Sequence, residues 1–405
     1  MKKLMSILLC IGATTSVYAQ MTLVKQAEKL SGKTDKLTEA RGLIQQAMEN
    51  PETKDQAITY YVAGKIEMDA YDNGYKTKMI NPDDPSASID ALGEALFNAY
   101  NYFLKALPLD SLPNEKGQVK PKYSKDIINK IKGHQADFFT VGADYYNNKE
   151  YYPQAYNGFV IYGDLPTTVL ASEAALFNPE QIATAFFNAG LAASQGGATE
   201  ASAEAFKKAR LAGYDQPEAT IYEIACWQTI AQQDNDRAAE AQEKILEAAQ
   251  FGIDNFGLEN TIFLNNLINS LVSDNKTDEA LNKLNDLISQ NPDDANLYGL
   301  RGYVYDRLEN DDLSEADYRK AASLPSVDFE TLKNASNKLY RVGAAKLNAL
   351  EGNSAETNAA RQDIKNNYFL VAQEYANRAN EMQPGDSYIQ NILDSIDYAI
   401  TTFFN

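Results

Sequence analysis

Cysteine and histidine are almost missing from this chain: its 405 residues include two cysteines and one histidine. Cys10 falls in the leader discussed below, which leaves Cys226 without an internal disulfide partner. Cys226 sits in the apolar helical run Ile221–Trp227 and is expected as a small buried hydrophobe, not a nucleophile. His134 lies in the polar stretch Lys132-Gly133-His134-Gln135 and is expected to be solvated. HExxH, CxxC and Walker patterns are missing as well. Gln195-Gly196-Gly197-Ala198 has no Gly-Lys-Ser/Thr after it, so it reads as a turn and not as a phosphate loop. Asp274–Asp278 lacks the central glycine of a calcium loop. No catalytic constellation is expected, hence no enzyme, and no metal or cofactor.

Positive charge and long apolar runs are also scarce. Lys and Arg total 37 against 56 acids, a formal charge of −19. The densest basic stretch, Lys116–Lys132, is diluted by Asp, Glu and Asn. Phosphate backbones are bound through Lys and Arg, so a nucleic-acid partner is disfavoured, and the net charge disfavours anionic membranes too. The one marked apolar run is Leu4–Gly12, well short of the ~20 residues of a membrane span. It follows Met1-Lys2-Lys3 and precedes Val17-Tyr18-Ala19, which predicts a secretory signal peptide over 1–19 cleaved after Ala19. Cys10 follows Leu9 and comes too early for a lipid attachment site. Loss of Lys2 and Lys3 with the leader takes the formal charge to −21. The expected location is periplasmic or secreted.

What is present is helix. Tyr (25) and Phe (16) far outnumber Trp (1), which suits large side chains packed between helices. The stretch Thr261–Asp328 reads as two adjoining units of 34 residues, Thr261–Asp294 and Ala295–Asp328. In register, Leu264 falls on Tyr298, Ile268 on Gly302, Leu271 on Tyr305, Leu284 on Tyr318 and Leu287 on Ala321. A fixed period of this length marks stacked repeats, each needing only its neighbours for burial. In 183–216, Phe186, Gly190, Phe206 and Ala209 keep the steps of Tyr298, Gly302, Tyr318 and Ala321. Thr277 and Asp278 stand where an N-cap belongs.

Upstream, helices are expected at Met21–Leu30, Asp35–Glu49, Asp55–Tyr71, Ile89–Leu107 and Ser124–Asn147. Two insertions interrupt them. Asp72–Ser86 carries Asn73-Gly74, Asn81-Pro82 and Asp84-Pro85, and Pro108–Pro121 carries three prolines and Gly117. Gly163–Asn178 reads as a hinge. The domains expected are therefore an N-terminal helical array over 20–163 and a C-terminal array over 179–405. Downstream, Thr331–Leu350 and Ala355–Met382 read as long helices, and Ser387–Phe403 as a terminal cap over the last apolar face.

These residues resemble the tetratricopeptide repeat (TPR) family. Its pattern has a large residue at position 4, small residues at 8, 20 and 27, aromatics at 11 and 24, and proline near 32. Ala295–Asp328 supplies Tyr298, Gly302, Tyr305, Ser314, Tyr318 and Ala321, with Pro325 one place early. Thr261–Asp294 supplies Leu264, Leu271, Ala280 and Pro292 and departs at Ile268, Leu284 and Leu287. The resemblance implies an all-α, right-handed α-solenoid of helix hairpins with a C-terminal capping helix. It also implies a concave groove reached by positions 2, 5, 9 and 12 of each first helix. Those residues are Ile262, Asn265, Asn269 and Val272, then Asn296, Gly299, Tyr303 and Asp306, and Thr184, Phe187, Leu191 and Ser194 in 183–216. Asn can donate to and accept from a peptide backbone, and Tyr offers flat contact area. Asn265, Asn269, Asn296, Tyr303 and Asp306 are thus the expected peptide groove. A carboxylate clamp is not expected, because no basic residue is evident in the groove of the following repeat. The function expected is a non-enzymatic scaffold of the cell envelope binding a protein or peptide. The alternative is a receptor for a small ligand or glycan, with a closed aromatic pocket near Tyr145, Tyr146, Tyr151 and Tyr152.

Overall fold

The computed structural model describes residues 21–404, except Glu115, Glu259 and Asn353. The expected signal peptide and Cys10 lie outside the described residues. The chain divides into two compact units at Ala238–Ala239. Among the described residues, regular structure is helical apart from one isolated bridge, Pro113 to Val119.

The first unit contains α1 (21–30), α2 (Leu37–Glu49), α3 (Ala57–Ile80), α4 (Ile89–Asp110), α5 (Ser124–Gly133), α6 (Gln135–Tyr146), α7 (Tyr152–Asp164), α8 (Pro179–Gln195), α9 (Thr199–Leu211) and α10 (Glu218–Gln233). Its hairpins share one packing rule. Gly190 on α8 lies so close to α9 that an added Cβ would stand 2.5 Å from the Phe206 ring. Gly64 on α3 is placed the same way against Phe103 of α4. Gly142 on α6 meets the backbone and ring of Phe159 on α7. In each, a helix without a side chain at one point lets an aromatic from its neighbour fill the gap. The Ser202 hydroxyl then donates to the Gly190 carbonyl at 2.8 Å inside the contact.

The second unit repeats the rule. It holds α11 (Ala238–Phe256, from Ala239 on), α12 (Thr261–Ser273), α13 (Thr277–Gln290), α14 (Ala295–Arg307), α15 (Asp311–Ser323), α16 (Phe329–Asn348), α17 (Ala355–Ile364), α18 (Leu370–Met382) and α19 (Ser387–Phe403). On α15, Ser314 donates to the Gly302 carbonyl of α14 at 2.9 Å, the counterpart of Ser202 and Gly190. Between α12 and α13, Ile268, Ala280 and Leu284 take these places, all fully buried. The turn of each clear repeat passes through the left-handed region at the same register: Gly197 (φ +74°), Asn275 (φ +59°) and Glu309 (φ +56°). The shared αL residue is what reverses the chain tightly enough for the two helices to touch. Side-chain caps fix the helix starts, Asn260 for α12, Asp294 for α14, Asn310 for α15 and Asp328 for α16. α19 buries Ile389, Ile392, Ile396 and Ala399 and exposes Tyr388 and Tyr398.

Several expectations are corrected. α3 continues through Asn73-Gly74 to Ile80, so the first insertion shrinks to 81–88. Gly74 is not a turn residue: a Cβ there would lie 2.6 Å from the Ser86 carbonyl oxygen, so it is glycine to admit the returning chain. α4 runs through Pro108 to Asp110, although the proline removes one helical N–H donor and crowds the preceding turn. The helix expected over 124–147 is broken at Gly133-His134 into α5 and α6. The helix expected over 355–382 contains a π segment at Lys365–Phe369 that turns Phe369 into the core. Lys276, not Thr277 or Asp278, is the N-cap of α13, with no side-chain bond. The stretch expected as a hinge, 163–178, lies inside the first unit. Leu165 and Leu170 are fully buried there, and Gly163 abuts the ring of Phe186 on α8.

Candidate binding clefts of the first unit

Three clefts open along α6, α8 and α10. The first, about 350 Å³, lies between α3, the start of α4 and α6. Its walls are Tyr71, Tyr75, Met79, Leu92 and Val141, and the Lys78–Asp144 ion pair at 3.1 Å sits at its rim. Tyr71 and Tyr75 stack at 6.1 Å, and His134 stands edge-on to Tyr71 at 5.7 Å. Burial, aided by the charge of Asp137, raises the Tyr71 hydroxyl above its ordinary value, so it stays protonated as a donor.

His134 is not solvated as expected. Its ring is mostly covered; Nδ1 lies 2.8 Å from Asp137 and Nε2 lies 3.6 Å from Asp72 of α3. The α5–α6 break at Gly133 puts it there, and the helix-period reading of 124–147 concealed that break.

The second cleft, about 360 Å³, is lined by Ala136, Phe139 and Thr140 of α6, Tyr162 of α7, and Asn178, Glu180, Gln181 and Thr184 at and after the start of α8. Phe139 and Tyr162 meet edge to face at 5.5 Å, and the Tyr162 hydroxyl donates to Gln181 at 3.2 Å. Thr140 borders both the first and second clefts. The third, about 450 Å³, is lined by Leu191, Ser194 and Gln195 of α8, Thr199 and Phe206 of α9, and Tyr222, Ala225, Cys226 and Thr229 of α10. Phe187 stacks on Tyr214 at 4.4 Å and faces Tyr222 at 6.1 Å.

The α8 stripe Thr184, Phe187, Leu191 and Ser194 therefore runs from the second cleft to the third. Steps of three and four put these residues on one face. The expected groove positions of 183–216 are thereby brought together. Their neighbours on α6 and α10 were not legible in advance. The usable signal was the set Gly142, Ala155, Phe159 and Tyr162, which repeats the α8–α9 pattern with one extra residue and puts Ala136 and Phe139 in register with Thr184 and Phe187.

The lining of the second and third clefts is hydroxyl, amide and aromatic. Glu180 is its single charged residue, and neither lining includes Lys, Arg or His. Such walls offer hydrogen bonds to an uncharged backbone and flat surfaces to apolar side chains. Cys226 borders the third cleft, half-buried, with its thiol raised by burial and 3.5 Å from the Ser202 hydroxyl. A raised thiol is the less reactive form, although the side chain lines a cleft and is not buried as fully as expected.

The groove residues expected in the second unit are placed differently from one another. Asn269 is exposed. Asn265 is half-buried, its side-chain oxygen enclosed with no hydrogen-bond partner. Asn296 is buried, with its backbone N–H held by the Asp294 cap. Tyr303 is half-buried and packs on the core of its own unit. Asp306 is tied to Lys338 and, at 3.4 Å, to Arg341 of α16, while Lys338 also reaches Asp311 at 2.6 Å. Lys338 and Arg341 thus reach Asp306 from α16, beyond the repeat 295–328, and Lys338 is buried in this network. Burying a lysine between two carboxylates stabilises only as a complete set. The rings expected around a closed aromatic pocket pack on one another instead. Tyr145 is buried between Phe97 and Tyr151, Tyr146 meets Tyr152 edge-on, and Tyr151 donates to Asp90 at 2.7 Å.

No family model matches the chain, and no curated protein matches it. Solved structures similar to it include a TPR repeats protein from Bacteroides fragilis, 16% identical, covering 67% of this chain and 99% of that one, with a TM-score of 0.32. A tetratricopeptide repeat protein from Parabacteroides merdae is 13% identical over 81% of this chain and 99% of that one, with a TM-score of 0.31. Yeast Tom70 is 13% identical over 95% of this chain and 90% of that one, with a TM-score of 0.32. The TPR-type, all-α hairpin fold rests on the chain's own repeats: the Gly–aromatic contacts, the Ser-to-carbonyl bond and the shared αL turn residue.

Proposed function

We propose that this array of TPR-type hairpins is a non-catalytic scaffold of the bacterial cell envelope, and that its first unit holds an extended, uncharged stretch of a protein partner. The observation that carries the reading is the α8 stripe Thr184–Phe187–Leu191–Ser194, which joins two clefts walled by aromatics and neutral hydrogen-bonding groups. An internal peptide segment needs these features. A C-terminal carboxylate would need a cation, and the lining of those clefts supplies none. The envelope location rests on the basic–apolar–small-residue leader over 1–19.

The test is affinity capture from envelope extract with the native chain, with Thr184→Arg and with Tyr222→Ala. A partner retained by the native chain and weakened about tenfold or more by each variant is expected, since residues at a desolvated contact centre cost ~2 kcal/mol or more when lost. Equal recovery by all three chains contradicts the reading.

A further inference from the structure

The loop between α4 and α5 is built as a finger. Every described residue from Ser111 to Lys122 is exposed, yet the segment is not slack. Pro113 and Val119 form a bridge, and Asn114 N–H donates to the Gln118 carbonyl at 2.9 Å. Gly117 supplies the left-handed residue of the turn (φ +73°). Buried Asp110 closes the base, accepting from the backbone N–H groups of Lys122, Tyr123 and Ser124 and from the Ser124 hydroxyl at 2.7–2.9 Å. This scaffold presents Leu112 and Val119 to solvent at 60% and 56% exposure. It also carries Lys116, Lys120 and Lys122 against the single acid Glu115 in the sequence 111–123, a local reversal of sign in a chain of charge −19.

We infer that the 111–123 finger anchors the protein to an anionic lipid surface, with Leu112 and Val119 entering the headgroup region and the three lysines meeting lipid phosphates. Charge complementarity selects an anionic partner. Size selects a bilayer over a protein: a dozen exposed residues fall short of the ~20–30 per side of a stable protein interface, whereas aliphatic tips among lysines need no shaped partner in lipid. The acidic body does not cancel the effect, since its field is screened within roughly 8 Å at physiological salt. The inference is independent of the clefts.

The test is flotation of the purified chain with phosphatidylcholine vesicles, with and without a minor fraction of phosphatidylglycerol. Binding is expected only with phosphatidylglycerol, and it should survive millimolar inorganic phosphate. The triple variant Lys116→Gln, Lys120→Gln, Lys122→Gln should bind on the order of a hundredfold more weakly, at roughly fivefold per lysine. Leu112→Ser with Val119→Ser should lose on the order of tenfold or more, through the lost apolar burial. Because all five side chains are exposed, circular dichroism melting of both variants should match the native chain, and capture of the cleft partner should be unchanged. Equal binding to both vesicle types, or variants that float like the native chain, overturns the inference. So does binding to soluble polyglutamate without binding to vesicles, which would assign the finger to an acidic polypeptide.

Discussion

Gly190 and Gly42 are both helical glycines, and adding a methyl to each should have opposite effects. At Gly190 the new Cβ would stand 2.5 Å from Phe206, whereas at Gly42 nothing lies within 4 Å. Gly190→Ala should destabilise the first unit by about 1–3 kcal/mol through overpacking. Gly42→Ala should stabilise it by about 0.5–1 kcal/mol, because alanine loses less freedom in a helix. Urea midpoints of the two variants check both signs. Asp110 is a second single-residue test. Burial alone would raise its carboxyl, but hydrogen bonds from Lys122, Ser124 and Tyr123 outweigh burial and hold it below the ordinary carboxylate value. A depressed carboxyl contributes stability that is complete above the unfolded value of about 4 and is lost as pH falls through the folded value. Asp110→Asn should therefore cost about 2–3 kcal/mol near neutral pH, and the gap to the native chain should close in acid. Paired urea titrations at neutral and acidic pH read this directly.

At the scale of the hairpin, the αL turn residue is the shared device. Glu309 occupies a position that Gly197 fills without strain, so Glu309→Gly should stabilise the α14–α15 hairpin by about 0.5–1 kcal/mol, read as slower amide exchange in those helices. The hairpins of 183–216 and 261–328 were legible in the sequence because their small and aromatic residues keep one spacing. Those of α3–α4 and α6–α7 were hidden, though they use the same Gly–aromatic contact. Gly64 and Phe103 are pushed apart by longer helices and the 81–88 connection, and Gly142 and Phe159 by one extra residue. Asn73-Gly74 misled because the pair is punctuation in an isolated peptide and packing against the returning chain at Ser86 overrode it, whereas Pro108 lies only two residues before the end of α4. The clefts were half legible. Thr184, Phe187, Leu191 and Ser194 follow from repeat register, but their α6 neighbours depend on a helix break at Gly133-His134 that no periodicity announces. Asn265, Asn296 and Asp306 looked like free groove groups in the sequence, because enclosure, a capped helix start and the buried Lys338 network are invisible in one dimension.

At the scale of the whole molecule, the proposed partner contact is built on one clear repeat, α8–α9, together with its neighbours α6 and α10. The second unit is the more regular in sequence, yet the described clefts above about 300 Å³ belong to the first, where connections vary and aromatics reach between helices. The central claim is that a partner segment lies along α6, α8 and α10. Photo-crosslinking in cells tests it most directly, with a benzophenone amino acid placed at Thr140, Thr184 or Thr229 and, as control, at exposed Glu204 of α9. The account predicts one common protein adduct from the three cleft positions and none from Glu204. Adducts from Glu204 alone, or the same adducts from all four positions, would contradict it.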